Sequence, residues 1–157
     1  MTDVVSIRTL ADALEAMPIV EAAEADGRLV PLAKWSPAQN FMHCGVLLSG
    51  ALDGFTFRLP LFLRAVGRAT RGATLGPKPM PRGIKHRGGL EPLAPASSVD
   101  FTSGLEALRT PLSRIVLSGQ SMTHPNPLYG SLGHDQWMTF QVKHVRHHFQ
   151  FVGIRGA

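Results

Sequence analysis

The stretch that decides the fold is Trp137–Phe151, which reads WMTFQVKHVRHHFQF. Trp137, Phe140 and His144 recur at steps of three and four, and the aromatic pattern continues to Phe151. Residues at this spacing share one face of an α-helix. The pattern therefore predicts a helix whose inward face mixes aromatic rings with histidine.

Three histidines are the candidate metal ligands. His144 and His148 are one helical turn apart, which brings their Cβ atoms to within roughly 5–6 Å, and His43 lies in a second apolar segment. One divalent ion would satisfy a nitrogen of each ring, at about 2.0–2.1 Å for zinc. His147 stays open as an alternative to His148. The competing interpretation is that hydrogen bonds alone satisfy these buried rings.

The remaining histidines and the single cysteine give weaker signals. His124 and His134 lie in a turn and at a helix start, where surface or capping roles are expected, and His86 lies in a loop without a pattern. Cys44 follows His43, so on a helix its side chain points about 100° away. We interpret it as a buried structural thiol.

The histidine pattern favours a catalytic rather than a structural metal site. Three neutral imidazoles leave coordination positions for water or substrate. The zinc-protease signature His-Glu-x-x-His is absent, because Val145 follows His144. Asp53 and Asp135 are roughly 13–15 Å along a helix from His43 and His144. Neither is an evident general base, so peptide hydrolysis is disfavoured.

Length and composition predict one domain, residues 1–157. No apolar run reaches the roughly 18–20 residues that a membrane span needs, and the first residues do not resemble a signal peptide. One cysteine excludes an internal disulfide and fits a reducing compartment. We therefore expect a cytoplasmic protein.

Apolar periodicity predicts helices along most of the chain. The first runs from Ile7 to Met17 with a kink or end at Pro18 and a short continuation to Asp26. The box Ser36-Pro37-Ala38-Gln39 opens a second, which ends near Leu52. Others are expected over residues 59–71, from a capping box at Ser103–Glu106 to Gly119, and over the histidine stretch. No strand alternation and no repeat stands out. The predicted fold class is all-α, a bundle of four main helices with a short extra piece.

Charge and the Gly/Pro-rich segment suggest partners. Residues 72–98 form a long loop, of a kind that often serves as a lid or as an arm across a neighbour. From Gly54 to Leu90 there is no acid but eight bases, while six acids and one base lie between Asp3 and Asp26. The basic block could attract nucleic acid, an anionic cofactor or the acidic end of the chain, or be only a solvated surface. Its members are Arg58, Arg64, Arg68, Arg71, Lys78, Arg82, Lys85 and Arg87.

Several short motifs, in this order and spacing, resemble the DinB-like (YfiT-like) superfamily of metal-binding four-helix bundles. The matching pieces are Trp35–Gln39, Met42-His43-Cys44, His124-Pro125, Gly130, Leu132, Trp137, Lys143-His144, His147-His148 and Phe151. They span about residues 35–153, and the segment 76–98 matches least. The branch resembled is catalogued as a domain of unknown function.

The resemblance implies an up-down-down-up bundle in which a histidine of the second helix and a His-x-x-x-His pair of the last bind a divalent metal. Those positions correspond to His43, His144 and His148. Characterised relatives include transferases that use low-molecular-weight thiols such as bacillithiol or mycothiol, and a thiol-dependent isomerase. The metal expected here is zinc, nickel, manganese or iron.

Three hypotheses follow. The first is a metal-dependent enzyme, a thiol S-transferase or related hydrolase, whose basic segment holds the anionic part of a thiol cofactor. The second is a non-catalytic helical binding or oligomerisation module with structural histidines. The third, nucleic-acid binding, lacks a recognition motif. Gly45 and Gly50 permit close helix contacts, so a homodimer is expected. The first hypothesis also implies a small-molecule substrate.

Overall fold

The computed structural model describes residues 1–156, which are mostly helical with a small antiparallel sheet. The strands are β1 (Thr2–Val4), β2 (Leu29–Pro31) and β3 (Val152–Arg155), in the order β1-β3-β2. The α-helices are α1 (Leu10–Glu15), α2 (Met17–Ala25), α3 (Pro37–Asp53), α4 (Leu61–Leu75), α5 (Phe101–Val116) and α6 (His134–Phe149), with a 3-10 turn at Glu91–Leu93.

The strands correct the purely all-α prediction. Each is three or four residues long, too short to display the two-residue alternation by which a strand is recognised. Their pairing is also long-range, since Thr2 lies opposite Arg155 and Leu29 opposite Ile154. The sheet thus ties the beginning of the chain to the segment that follows α6.

The predicted start of α3 is confirmed by local capping. The Ser36 hydroxyl accepts a hydrogen bond from Gln39 N at 3.1 Å, and Gln39 Oε1 accepts from Ser36 N at 2.9 Å. This is the reciprocal box predicted for the start of α3. The α1–α2 break falls at Ala16, one residue before the helix that contains Pro18.

The start of α5 and the end of α4 differ from the prediction. α5 begins at Phe101 because Asp100 caps it, accepting from Ser103 N at 2.9 Å, so the predicted Ser103 cap is wrong. α4 continues through Gly72 to Leu75. A mid-helix glycine costs about 1 kcal/mol relative to alanine, which is not enough to stop a helix that is otherwise supported.

The buried face of α4 also differs from the prediction. Phe62 and Val66, two of the apolar residues whose spacing predicts this helix, are 61% and 58% exposed and so lie outside the core. The helix instead approaches the rest of the protein through Gly67, where a Cβ atom would lie 2.4 Å from the carbonyl oxygen of Leu128. The close backbone contact selects this face over the more apolar one.

The core is built where α3 packs against α5 and α6, with α1 packed on α5 and α6. Trp137 is fully buried, and its indole N–H donates to the carbonyl of His124 at 2.9 Å. Gln141 Nε2 of α6 donates to the Leu47 carbonyl of α3 at 3.0 Å. The Gln141 bond fixes α6 against α3, the two helices that carry the predicted metal ligands, and the Trp137 bond ties α6 to the segment that precedes it. Among the described residues, no helix combines the length and the apolar character needed to cross a membrane.

Candidate metal centre

The three predicted histidines come together in the interior. His43 on α3 and His144 and His148 on α6 are 5%, 6% and 8% exposed. One ring nitrogen from each lies within 4.8 Å of the other two, which is close enough for a single metal ion. We call this group the histidine cluster.

The hydrogen bonds of His43 and His148 determine which nitrogen is free. His43 Nδ1 is 2.6 Å from the Leu93 carbonyl oxygen, which can only accept, so Nδ1 carries the hydrogen. His148 Nδ1 likewise donates to Asn40 Oδ1 at 2.8 Å. Both rings therefore keep a lone pair on Nε2, the form that binds a metal.

The orientation of Asn40 is itself fixed. Its amide nitrogen donates to the Ser36 carbonyl at 3.0 Å and contacts the Trp35 carbonyl at 3.4 Å, which turns Oδ1 towards His148. Asn40 is 1% exposed and lies one turn before His43 on α3. It thus supports the ring of His148 from the opposite helix, as partners of metal-binding histidines do.

His144 lies at the centre of the cluster. Its Nε2 is 3.0 Å from His43 Nε2, and its ring stacks on Phe140 with centroids 5.5 Å apart. Its Nδ1 is buried without a hydrogen-bond partner in the part of the chain that the structure describes. Two nitrogens each ~2.0–2.1 Å from one zinc ion would be roughly 2.9–3.4 Å apart at ordinary coordination angles. The observed 3.0 Å separation fits this spacing.

Burial keeps the cluster neutral. Removal from water lowers the pKa of His43 from 6.5 to about 4, against the opposing effect of its bond to Leu93. Burial also holds the pKa values of His144 and His148 well below 6.5, and repulsion from the neighbouring histidines adds to this. Neutral imidazole is the ligand form at any pH near 7.

The long loop covers the cluster. Residues 76–100 contribute the Leu93 carbonyl and His86, whose ring lies 5.6 Å from that of His43 and 5.1 Å from Trp35. Gln39 Nε2 holds the loop by donating to the carbonyls of Ala96 at 2.8 Å and Ser97 at 3.2 Å. The segment therefore has the placement of a lid.

The loop and Trp35 supply contacts that the sequence analysis did not identify. The ring of Trp35 stacks on His148 at 5.8 Å with an interplanar angle of 11°. His86, which lies in a stretch of sequence without a pattern, is brought to His43 by the loop. Asn40 could have been found from its spacing to His43, whereas the loop has no periodicity to reveal His86 or Leu93.

The other predicted histidines are not among the three whose ring nitrogens come together, although the His147 ring lies 5.3 Å from that of His148. His147 is half-buried against Phe151, with ring centroids 5.0 Å apart, and is not part of the close group. His134 is exposed in the first turn of α6. His124 packs near Gly54, at the opposite end of α3 from its capping box.

Among the described residues, no carboxylate joins the close group of ring nitrogens. Asp53 is paired with Arg114, whose two terminal nitrogens lie 2.6 Å from its carboxylate oxygens, and Asp135 is exposed. The Cys44 thiol is fully buried, and burial raises its pKa far above the ordinary value. Cys44 is therefore an inert core residue, as predicted.

One comparison with known protein families found a match that covers most of the chain. A family model described as "Protein of unknown function (DUF1569)" matches residues 7–154. No curated protein and no solved structure matches the chain.

Proposed function

The chain belongs to the DUF1569 family, and we propose that it is a metal-dependent enzyme that binds one divalent ion through His43, His144 and His148. The carrying observation is that a nitrogen of each ring lies within 4.8 Å of the others, with hydrogen bonds that leave Nε2 of His43 and of His148 free. Zinc, nickel, manganese or iron is the expected ion, since imidazole suits these metals.

The reaction class proposed is thiol S-transfer or a related hydrolysis on a small-molecule substrate. When bound, such an ion lowers the pKa of a water towards ~7 or holds a thiol as thiolate. His43 and His148 are oriented for this by Leu93 and Asn40, and Trp35 and His86 form an aromatic wall beside the rings. The loop 76–100 excludes water and must move for a substrate to enter.

The surroundings of the cluster support a thiol that carries an anionic group. Arg82 lies over the Phe151 ring, with its guanidinium carbon 5.6 Å from the centroid, and bonds Gln150 at 3.1 Å. Arg82 is therefore a basic residue of the loop that is held beside the end of α6. Low-molecular-weight thiols with carboxylate groups are therefore the cofactor class to test first.

The proposal also includes the topology of the helices, the oligomeric state and the location of the protein in the cell. The DinB-like up-down-down-up bundle is supported by the placement of one histidine on α3 and two on α6, four residues apart. A homodimer is supported by the exposed Leu61, Phe62 and Val66 on α4. Cytoplasmic location is supported by the single buried cysteine.

Metal analysis of protein purified without a histidine tag tests the site. We expect about one ion per chain, retained on gel filtration, and its loss in His43→Asn, His144→Asn and His148→Asn. The matched control is His134→Asn, an exposed histidine of the same helix as the pair. Protein that is metal-free and takes up none of the four metals after dialysis refutes the proposal.

Adding a thiol to the cobalt- or nickel-substituted protein tests the chemistry. We expect a charge-transfer absorption band from a sulfur–metal bond, because an open coordination position admits a thiolate. The band should be absent in His144→Asn and present in His134→Asn. A metal-loaded protein that shows no spectral change with any low-molecular-weight thiol would contradict thiol transfer while leaving metal binding intact.

The second candidate function is a non-catalytic binding or oligomerisation module. It is favoured by the hydrogen bonds that some of the ring nitrogens already make, from His43 to Leu93, from His148 to Asn40 and between His43 and His144. It predicts that chelation leaves the melting temperature unchanged. A bound metal at 100-fold excess over its Kd would instead raise stability by about 2.7 kcal/mol.

A further inference from the structure

A cavity separate from the histidine cluster lies between α4, the segment that precedes it and residues 124–131. Its volume is about 370 Å³, near the lower end of the ~300–1,000 Å³ typical of small-molecule pockets. None of the three cluster histidines lines it, and none of its lining residues is acidic. Its polar lining includes Arg58, Arg64, Arg68 and His124. We call it the arginine pocket.

The three arginines have no carboxylate partner. Within residues 1–156, ion pairs are formed by Arg28, Arg109 and Arg114, not by the arginines of this pocket. Arg64 and Arg68 are one turn apart on α4, where like charges repel and destabilise a helix by a few tenths of a kcal/mol. Uncompensated positive charge in a concavity favours an anion.

The walls of the pocket are held in place by contacts that do not involve these arginines. Arg71 Nη1 donates to the Ser131 carbonyl at 3.1 Å, and Gly67 brings α4 against the backbone of Leu128. The backbone N–H of His124 donates to the Ala51 carbonyl at 3.2 Å. The guanidinium groups of the pocket are thus free while their surroundings are fixed.

An aromatic surface adjoins the positive charge. Phe55 and Phe57 line the same cavity, with ring centroids 5.7 Å apart. Arginine presents a planar fork of N–H donors that matches phosphate oxygens, whereas aromatic rings contact a flat apolar body. A ligand that carries both a phosphate and a flat apolar group would contact both the arginines and the phenylalanines.

From these contacts we propose that the arginine pocket binds a small organic phosphate, with Arg58, Arg64 and Arg68 on the phosphate and Phe55 and Phe57 against its apolar body. The site is separate from the histidine cluster and independent of the proposed enzymatic function. An extended nucleic-acid surface fits less well. The basic block is divided, since Arg82 packs on Phe151 beside the cluster and does not line the pocket.

Isothermal titration of the full chain with phenyl phosphate tests the proposal, with inorganic phosphate and phenol as partial ligands. We expect saturable binding of about one phenyl phosphate per chain, weaker binding of inorganic phosphate and none of phenol. Arg64→Gln and Arg68→Gln should each weaken binding about tenfold or more, the effect of losing a charge-assisted hydrogen bond. Thermal melts of each variant verify that it is folded.

Two control variants separate this site from other sources of phosphate binding. Arg8→Gln removes the same charge from an exposed position far along the chain, and His144→Asn removes a ligand of the cluster. Both should bind phenyl phosphate as the unaltered protein does. Loss of binding in His144→Asn would place the phosphate at the cluster, and equal weakening in Arg8→Gln would reduce the effect to net charge.

Three other results overturn the proposal. One is the absence of saturable phenyl phosphate binding at millimolar concentration. A second is equal affinity for inorganic and phenyl phosphate, which would remove the role of Phe55 and Phe57. The third is tight binding of a short single-stranded oligonucleotide that phenyl phosphate does not displace, which would replace the pocket by a nucleic-acid surface.

Discussion

Replacing Gly45 by alanine should destabilise the protein, although alanine is the better helix former. Gly45 lies in α3 where this helix meets α5, and a Cβ atom there would be 2.1 Å from the Ala107 carbonyl oxygen, 2.4 Å from its carbon and 2.8 Å from Leu108 N. All three are backbone atoms, so no side chain can rotate away. The helices must separate by roughly 1 Å or more to restore contact distances near 3.5 Å.

The magnitude follows from two opposing effects. Alanine gains about 1 kcal/mol of helix propensity, whereas overpacking against a rigid backbone costs about 3 kcal/mol or somewhat more. The free energy of unfolding should fall by about 2 kcal/mol. For a chain of this size, that corresponds to a melting temperature lower by about 4–8 °C.

Gly72→Ala is the matched control. Gly72 lies inside α4 with no atom within 4 Å of the position of its Cβ. The same substitution should therefore raise the free energy of unfolding by up to about 1 kcal/mol. Urea unfolding followed by circular dichroism and tryptophan fluorescence measures both variants.

The two substitutions should change the free energy of unfolding in opposite directions. Stabilisation of both variants by a similar amount would show that α3 and α5 do not approach as closely as the backbone distances require, and would refute the reasoning. Because α3 carries His43, the Gly45 variant should also lose affinity for metal if the helix shifts, whereas Gly72→Ala should not.

The remaining predictions concern the histidine cluster and its surroundings. After a chelator has removed any metal, the free energy of unfolding should fall as the pH drops from 6.5 towards 4, because His43 binds a proton in the unfolded chain but not when it is buried. His43 alone accounts for about 3 kcal/mol of this loss. A urea midpoint that stays constant over this pH range would contradict the prediction. Asn40→Ala should weaken metal binding about 10–100-fold, because the His148 ring loses the hydrogen bond that orients it. A competition assay with a chromogenic chelator measures this affinity. Gln150→Ala, at an exposed position beyond the cluster, is the control. The Cys44 thiol should react with a disulfide reagent only upon global unfolding; a fast native-state reaction would show that the core around α3 opens locally.

Much of the helical structure could be predicted from local patterns in the sequence. The Ser36–Gln39 box and the three–four spacing around His144 act within one or two turns, so neighbouring residues suffice to specify α3 and α6. The same spacing put His144 and His148 on one face. Their burial beside His43 is therefore the part of the site for which sequence reasoning had a physical basis.

Only the tertiary structure decided what surrounds those rings. Asn40 and His148 are 108 positions apart, and His43 and Leu93 are 50 apart. The strands, the buried face of α4 and the arginine pocket depend in the same way on segments that are distant in sequence. Local periodicity specifies which residues share one face of a helix. Which segment packs against that face depends on backbone approach and burial across the whole chain, and this cannot be read from a single stretch of sequence.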